Sequence, residues 1–82
     1  MWPKNRLTRF EVARLISARA LQIELGAPCL VNIKGSSKEK AREEFRRKVI
    51  PLTILRRMPD GSLVEVDIEE AIENWLKEHG DI

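Results

Sequence analysis

One histidine, His79, and one cysteine, Cys29, are the only imidazole and the only thiol in the 82 residues. A lone thiol can neither close an internal disulfide nor build a thiolate metal site, and it suits a reducing compartment. His79 falls near the end of an expected helix, where an imidazolium would favour the negative end of the helix dipole; general acid–base catalysis needs further oriented partners. No nucleophile with a neighbouring base and no metal-ligand set can be assembled from the remaining residues. The expectation is therefore no catalytic residue, no metal and no cofactor. What remains as chemistry worth placing is guanidinium: Arg14 and Arg19, with Gln22 one turn beyond.

Both arginines fall inside the clearest helix of the chain. Leu7-Thr8-Arg9-Phe10-Glu11-Val12 reads as a helix start, with Thr8 as N-cap, Glu11 completing a capping box and Leu7 able to pack on Val12. The helix is expected to run to about Leu25, where Gly26 can take the left-handed C-terminal turn and Pro28 prevents continuation. Leu30 to Ile33 reads as a short extended connection into the core. Ser36 and Glu39 repeat the capping pattern ahead of a second, very polar helix to about Lys48, whose apolar face is Ala41, Phe45 and Val49. Pro51 to Leu55 is β-prone, Met58-Pro59-Asp60-Gly61-Ser62 favours a tight turn, and Leu63 to Val66 is the return strand. Asp67 offers an N-cap, with Glu70 three residues on, for a last helix bearing Ile68, Ile72, Trp75 and Leu76, closed by Gly80. This predicts an α+β fold in one domain spanning 1–82: long helix, short helix, β-hairpin, C-terminal helix.

On a helical wheel the first helix carries two apolar stripes: Val12, Ala13, Ile16, Ala20 and Ile23 on one side, and Phe10, Ala18, Leu21 and Leu25 on another. A small core needs only one, so a second protein is the simplest cover for the other. Arg14 lies inside the second stripe, where it either meets a carboxylate or carbonyls, Glu11 being one local candidate, or snorkels to water along its stem. Arg19 and Gln22 share a more polar edge with Leu15. The last helix, with a tryptophan in its stripe, is expected to pack back on the hairpin and first helix.

Charge divides the chain unevenly. Up to Ser62 there are 14 Lys/Arg against 6 Asp/Glu, and from Leu63 onward 1 against 7, so +8 precedes −6. Such a basic stretch suits nucleic acid, an acidic protein surface or the chain's own acidic tail. A small winged-helix-like DNA-binding module is the alternative reading, with Arg56 and Arg57 on the hairpin, but Glu39, Glu43 and Glu44 on the second helix would repel phosphate. No apolar run of about 18 residues could span a bilayer and the start lacks a secretion signal, so a cytoplasmic protein without membrane contact is expected.

Thr8-Arg9-Phe10-Glu11, then Ala13-Arg14, Ala18-Arg19-Ala20-Leu21-Gln22-Ile23 and Gly26-Ala27-Pro28 resemble the signature of the family that contains archaeal RNA polymerase subunit K, bacterial omega and the sixth common subunit of the eukaryotic polymerases. The resemblance continues through Glu44-Phe45 and Ile50-Pro51-Leu52-Thr53-Ile54 to Arg56-Arg57, covering 7–61, with the return strand and acidic helix of 62–82 beyond it. Ser17 stands where glycine is common in the family, which puts one close contact in doubt. The long acidic amino-terminal tail of eukaryotic members is missing, which favours an archaeal-type subunit. The resemblance implies a non-catalytic subunit that latches the largest polymerase subunit and promotes assembly of the core enzyme, meeting nucleic acid only through the complex. It also implies partner-binding roles for Thr8, Arg14, Arg19, Gln22, Gly26 and Pro28.

Overall fold

The computed structural model describes residues 2–82. Its elements are α1 (Arg9–Glu24), α2 (Ser37–Arg46), β1 (Leu55–Arg57), β2 (Leu63–Glu65) and α3 (Ile68–His79), in the helix, helix, hairpin, helix order that the sequence predicts. None of the described helices is long and apolar enough to cross a membrane.

Local chemistry sets the start and the end of α1. Thr8 Oγ1 accepts from the Glu11 amide at 3.1 Å and the Glu11 carboxylate accepts from the Thr8 amide at 2.9 Å, a complete capping box. At the other end the Gly26 amide donates to Ile23 and the Ala27 amide to Gln22, with Gly26 at φ 107°. That pairing is a Schellman turn, and glycine is suited to it because it lacks the Cβ that penalises positive φ. In α2 Ser36 caps the Glu39 amide at 3.1 Å. The expected reciprocal bond is absent; the Glu39 carboxylate packs instead against Gly35, in space that a Cβ there would need. Helix α2 stops at Arg46, two residues short of the expected end, because Lys48 turns left-handed at φ 58° and the Val49 amide donates back to Glu44.

The hairpin is shorter than its β-prone sequence. Leu55, Arg56 and Arg57 pair with Glu65, Val64 and Leu63, and one further bond joins the Val66 amide to Ile54. Pro51 to Thr53 find no strand opposite because the chain turns into α3 at Asp67. The Asp60 carboxylate accepts from both the amide and the hydroxyl of Ser62 and fixes the turn.

One cluster of buried side chains runs through all three helices: Leu7, Val12, Leu15, Ile16, Ala41, Phe45, Ile50, Val66, Ala71 and Ile72. Two expectations for α1 are corrected here. Leu15 and Arg19 lie on the buried face, since α2 packs along that edge of α1, whereas Ala13 faces outward. Helix α3 does return to its own domain, though it leans chiefly on α2 and the N-terminal segment. The Asp67 amide donates to Lys4, the Asn74 side chain donates to the Asn5 carbonyl, and Arg46 grips Asp81 with two bonds. Asp67 itself makes no side-chain cap.

Candidate partner-binding surface

Arg19 lies on the buried face of α1 with Glu11, Val12, Leu15 and Ile16, and its side chain is almost wholly enclosed. Helix α2 places Glu44 opposite it, between Ala41 and Phe45 on the same inward face. Arg19 Nε donates to Glu44 Oε1 at 2.6 Å and Nη2 to Oε2 at 3.0 Å. The remaining valences tie down the turn after α1. Nη1 donates to Gln22 Oε1 at 3.2 Å and Nη2 to the Pro28 carbonyl at 2.8 Å, while Glu44 Oε2 also accepts from the Leu30 amide at 2.9 Å. A forked guanidinium suits this because it presents several donors in fixed directions.

Burial by itself pushes the Glu44 carboxyl up, and the Arg19 guanidinium, the Leu30 amide and the Cys29 thiol together outweigh it and leave it below the usual carboxylate range. Arg19 is raised, first by its hydrogen bond to Glu44. Three of the residues expected to bind a partner, Arg19, Gln22 and Pro28, are thus brought together by the Arg19 guanidinium, which Glu44 holds in place, with Gly26 making the turn between them. Sequence reasoning named Glu44 as an acid that would repel phosphate and did not pair it with Arg19. Its signal was an acid in the middle of the only apolar stripe of α2, which asks for a buried cation.

Thr8 belongs to a second centre at the other end of α1. Beyond its capping role, Glu11 receives Arg56 in a two-pronged pair, Nε to Oε2 and Nη2 to Oε1, both at 2.8 Å. The same guanidinium donates to the carbonyls of Trp2, Pro3 and Arg6. Arg56 therefore clips the N-terminal segment and the hairpin onto the start of α1, and it is the first cause of the lowered Glu11 pKa. Glu11 thus pairs with Arg56 and leaves Arg14 to the outside.

The profile of the family described as RNA polymerase Rpb6 matches residues 4–52, from the N-terminal segment through α1 and α2. This chain belongs to the RNA polymerase Rpb6 family. The DNA-directed RNA polymerase subunit Rpo6 of Saccharolobus solfataricus is 48% identical over 75 residues, which cover 87% of this chain and 78% of that one. Subunit Rpo6 of Sulfolobus acidocaldarius is 41% identical over 75 residues, 87% of this chain and 83% of that one. The Arabidopsis thaliana subunit 6B of DNA-directed RNA polymerases II and V is 38% identical over 78 residues, 90% of this chain and 54% of its own. The family match contains the whole Arg19–Glu44 centre and stops short of the hairpin.

Arg14 stands apart in this Rpb6-family chain. It is exposed on α1, one turn from Phe10, and shares that face with Ser17, Ala18, Leu21 and Leu25, all exposed. Phe10 is 76% accessible, Leu21 57% and Leu25 78%. Ser17, where the resemblance leads to an expectation of glycine, thus lies on the outer surface of the chain's own fold. The second apolar stripe read from the wheel is therefore left uncovered, and the Arg14 guanidinium, without an ion-pair partner among the described residues, stands within it.

Proposed function

We propose that this chain is a non-catalytic subunit of a multisubunit DNA-directed RNA polymerase. In this reading it works in the cytoplasm, fastens the carboxy-terminal part of the largest subunit against an earlier part of the same polypeptide, and so promotes assembly and stability of the core enzyme. The uncovered stripe of α1 carries the reading. Three large apolar side chains on one helix face, opposite a face already filled by the chain's own core, form a surface suited to a second protein. Burying each would contribute roughly 1.5 to 3 kcal/mol. Arg14 supplies a cation for acceptors on the partner, and Thr8, Arg19, Gln22, Gly26 and Pro28 serve by fixing the ends of the helix that presents the stripe. A fastener of this kind acts by mass action: it binds the ordered arrangement of the large subunit and not the disordered one.

Contact with nucleic acid would come through the complex. Of the two hairpin arginines that a winged helix would point at phosphate, Arg56 is occupied by Glu11 and only Arg57 stands exposed, while Arg46 and Arg47 both face Glu43. Isolating a tagged chain from its native cell should bring down the large polymerase subunits in fixed proportion. Recovery with DNA and no large subunits would refute the proposal.

A further inference from the structure

We propose that an open groove between α1, α2 and the end of α3 binds an acidic protein segment carrying aliphatic side chains, at a site separate from the α1 stripe assigned to the largest subunit. The groove encloses about 510 Å³. Its floor is apolar, made by Val12, Ala13 and Ile16 of α1 and by the ring of Trp75, which stacks on His79 with centroids 3.7 Å apart. Arg9, Lys38 and Arg42 stand on its rim, and among the described residues none of the three makes a side-chain hydrogen bond or an ion pair. A second cavity of about 420 Å³ continues past Arg9, Trp75 and His79 toward Trp2 and Phe10.

Charge decides the occupant. The acids that border the two cavities are already engaged, Asp81 by Arg46 and Glu78 by Arg6. Arg9 and Lys38, together with Arg42, whose charge also acts on Asp81, stand over an apolar floor and favour a ligand with carboxylates on its edge and hydrocarbon beneath them. The chain supplies an example of that pattern. Its own Asp81-Ile82 lies at one end of the groove, the acid held by Arg46 at 2.7 and 3.1 Å and the isoleucine among the lining residues. A nucleic acid is the poorer fit: its phosphates would find the cations, but its bases would meet mainly aliphatic side chains, with Trp75 partly buried and already stacked on one face. The site does not depend on the fastener reading, since Val12, Ala13 and Ile16, which make its floor, lie outside the stripe, and only Phe10 and Ser17 border both.

The test is a titration of the isotope-labelled full chain with the capped peptide Glu-Asp-Ile-Glu-Asp-Ile, its Gln/Asn analogue and a hexathymidylate, followed by NMR. Expected are shifts of the Trp75 indole N–H and the His79 ring with the acidic peptide, at least about tenfold weaker binding of the neutral analogue, and weakening as salt rises from about 0.05 to about 0.5 M. Arg9→Glu with Arg42→Glu should lower affinity at least about tenfold while the spectrum stays that of a folded chain. Ser17→Trp, which narrows the groove without changing its charge, should also block binding. Equal binding of the neutral analogue, tighter binding of hexathymidylate through the same residues, or no shift at Trp75 and His79 would overturn the proposal. The charge-reversed variant should enter polymerase normally; if it fails to assemble, the groove belongs to the assembly surface and its separateness is refuted, whatever the fate of the fastener reading.

Discussion

Removing the Glu44 carboxylate leaves the Arg19 guanidinium inside the fold with no counter-charge, and the Leu30 amide loses its acceptor with it. Glu44→Leu should therefore lower the unfolding free energy by about 3 to 5 kcal/mol in urea titration. The double variant Arg19→Met/Glu44→Leu should recover about 2 kcal/mol or more of that loss, because no charge then stays buried, yet not all of it, since the Pro28 carbonyl and Leu30 amide remain unpaired. The Glu44 carboxylate and the one of Glu11 contribute to the response to acid. Glu11 and Glu44 are both held below the 4.5 expected of an unperturbed glutamate. A depressed carboxylate contributes stability that is fully present above its unfolded pKa and is lost as pH falls through its folded one. Thermal stability should thus vary little through these groups from neutral pH down to about 4.5 and fall steadily below it. A chain equally stable at pH 3 and pH 7 would show that neither pair matters to the fold.

At the scale of elements, the end of α1 depends on one left-handed residue. Gly26→Ala should destabilise by about 1 kcal/mol, since nothing crowds the added methyl and only the backbone conformation opposes it. Truncation after Val66 removes Ala71 and Ile72 from the core together with the half-buried Trp75, and should lower the melting temperature of the isolated chain. Unchanged melting would mean that α3 adds nothing to the fold. Features set by neighbours three or four residues apart, such as the Thr8–Glu11 box, the Gly26 turn and the stripe of α3, were legible from the sequence because the chain itself brings those groups together. The pairs Arg19–Glu44 and Glu11–Arg56 join residues 25 and 45 apart. Nothing local specifies them, so Arg19 looked like an edge residue and Arg56 like a candidate for phosphate. Leu15 and Ala13 exchanged places between inside and outside for the same reason, because the side of α1 that is covered is decided by where α2 lands.

Across the whole molecule the basic first part and the acidic last part meet at exposed pairs, Arg6 with Glu78 and Arg46 with Asp81. Exposed pairs contribute little each, typically below about 1 kcal/mol, so apolar burial holds α3 and salt should change stability only slightly. The uncovered stripe of α1 asks for a different account, because it stabilises nothing within the chain. The most direct measurement replaces Leu21 and Leu25 together by aspartate and follows two quantities: the urea unfolding of the isolated chain, and its incorporation when polymerase is reconstituted from separate subunits. Unfolding free energy within about 0.5 kcal/mol of the parent, as expected for exposed positions, with incorporation lost by about tenfold or more, is the predicted result. Normal incorporation of the double aspartate variant would contradict the assignment of this stripe as the surface that fastens the largest subunit.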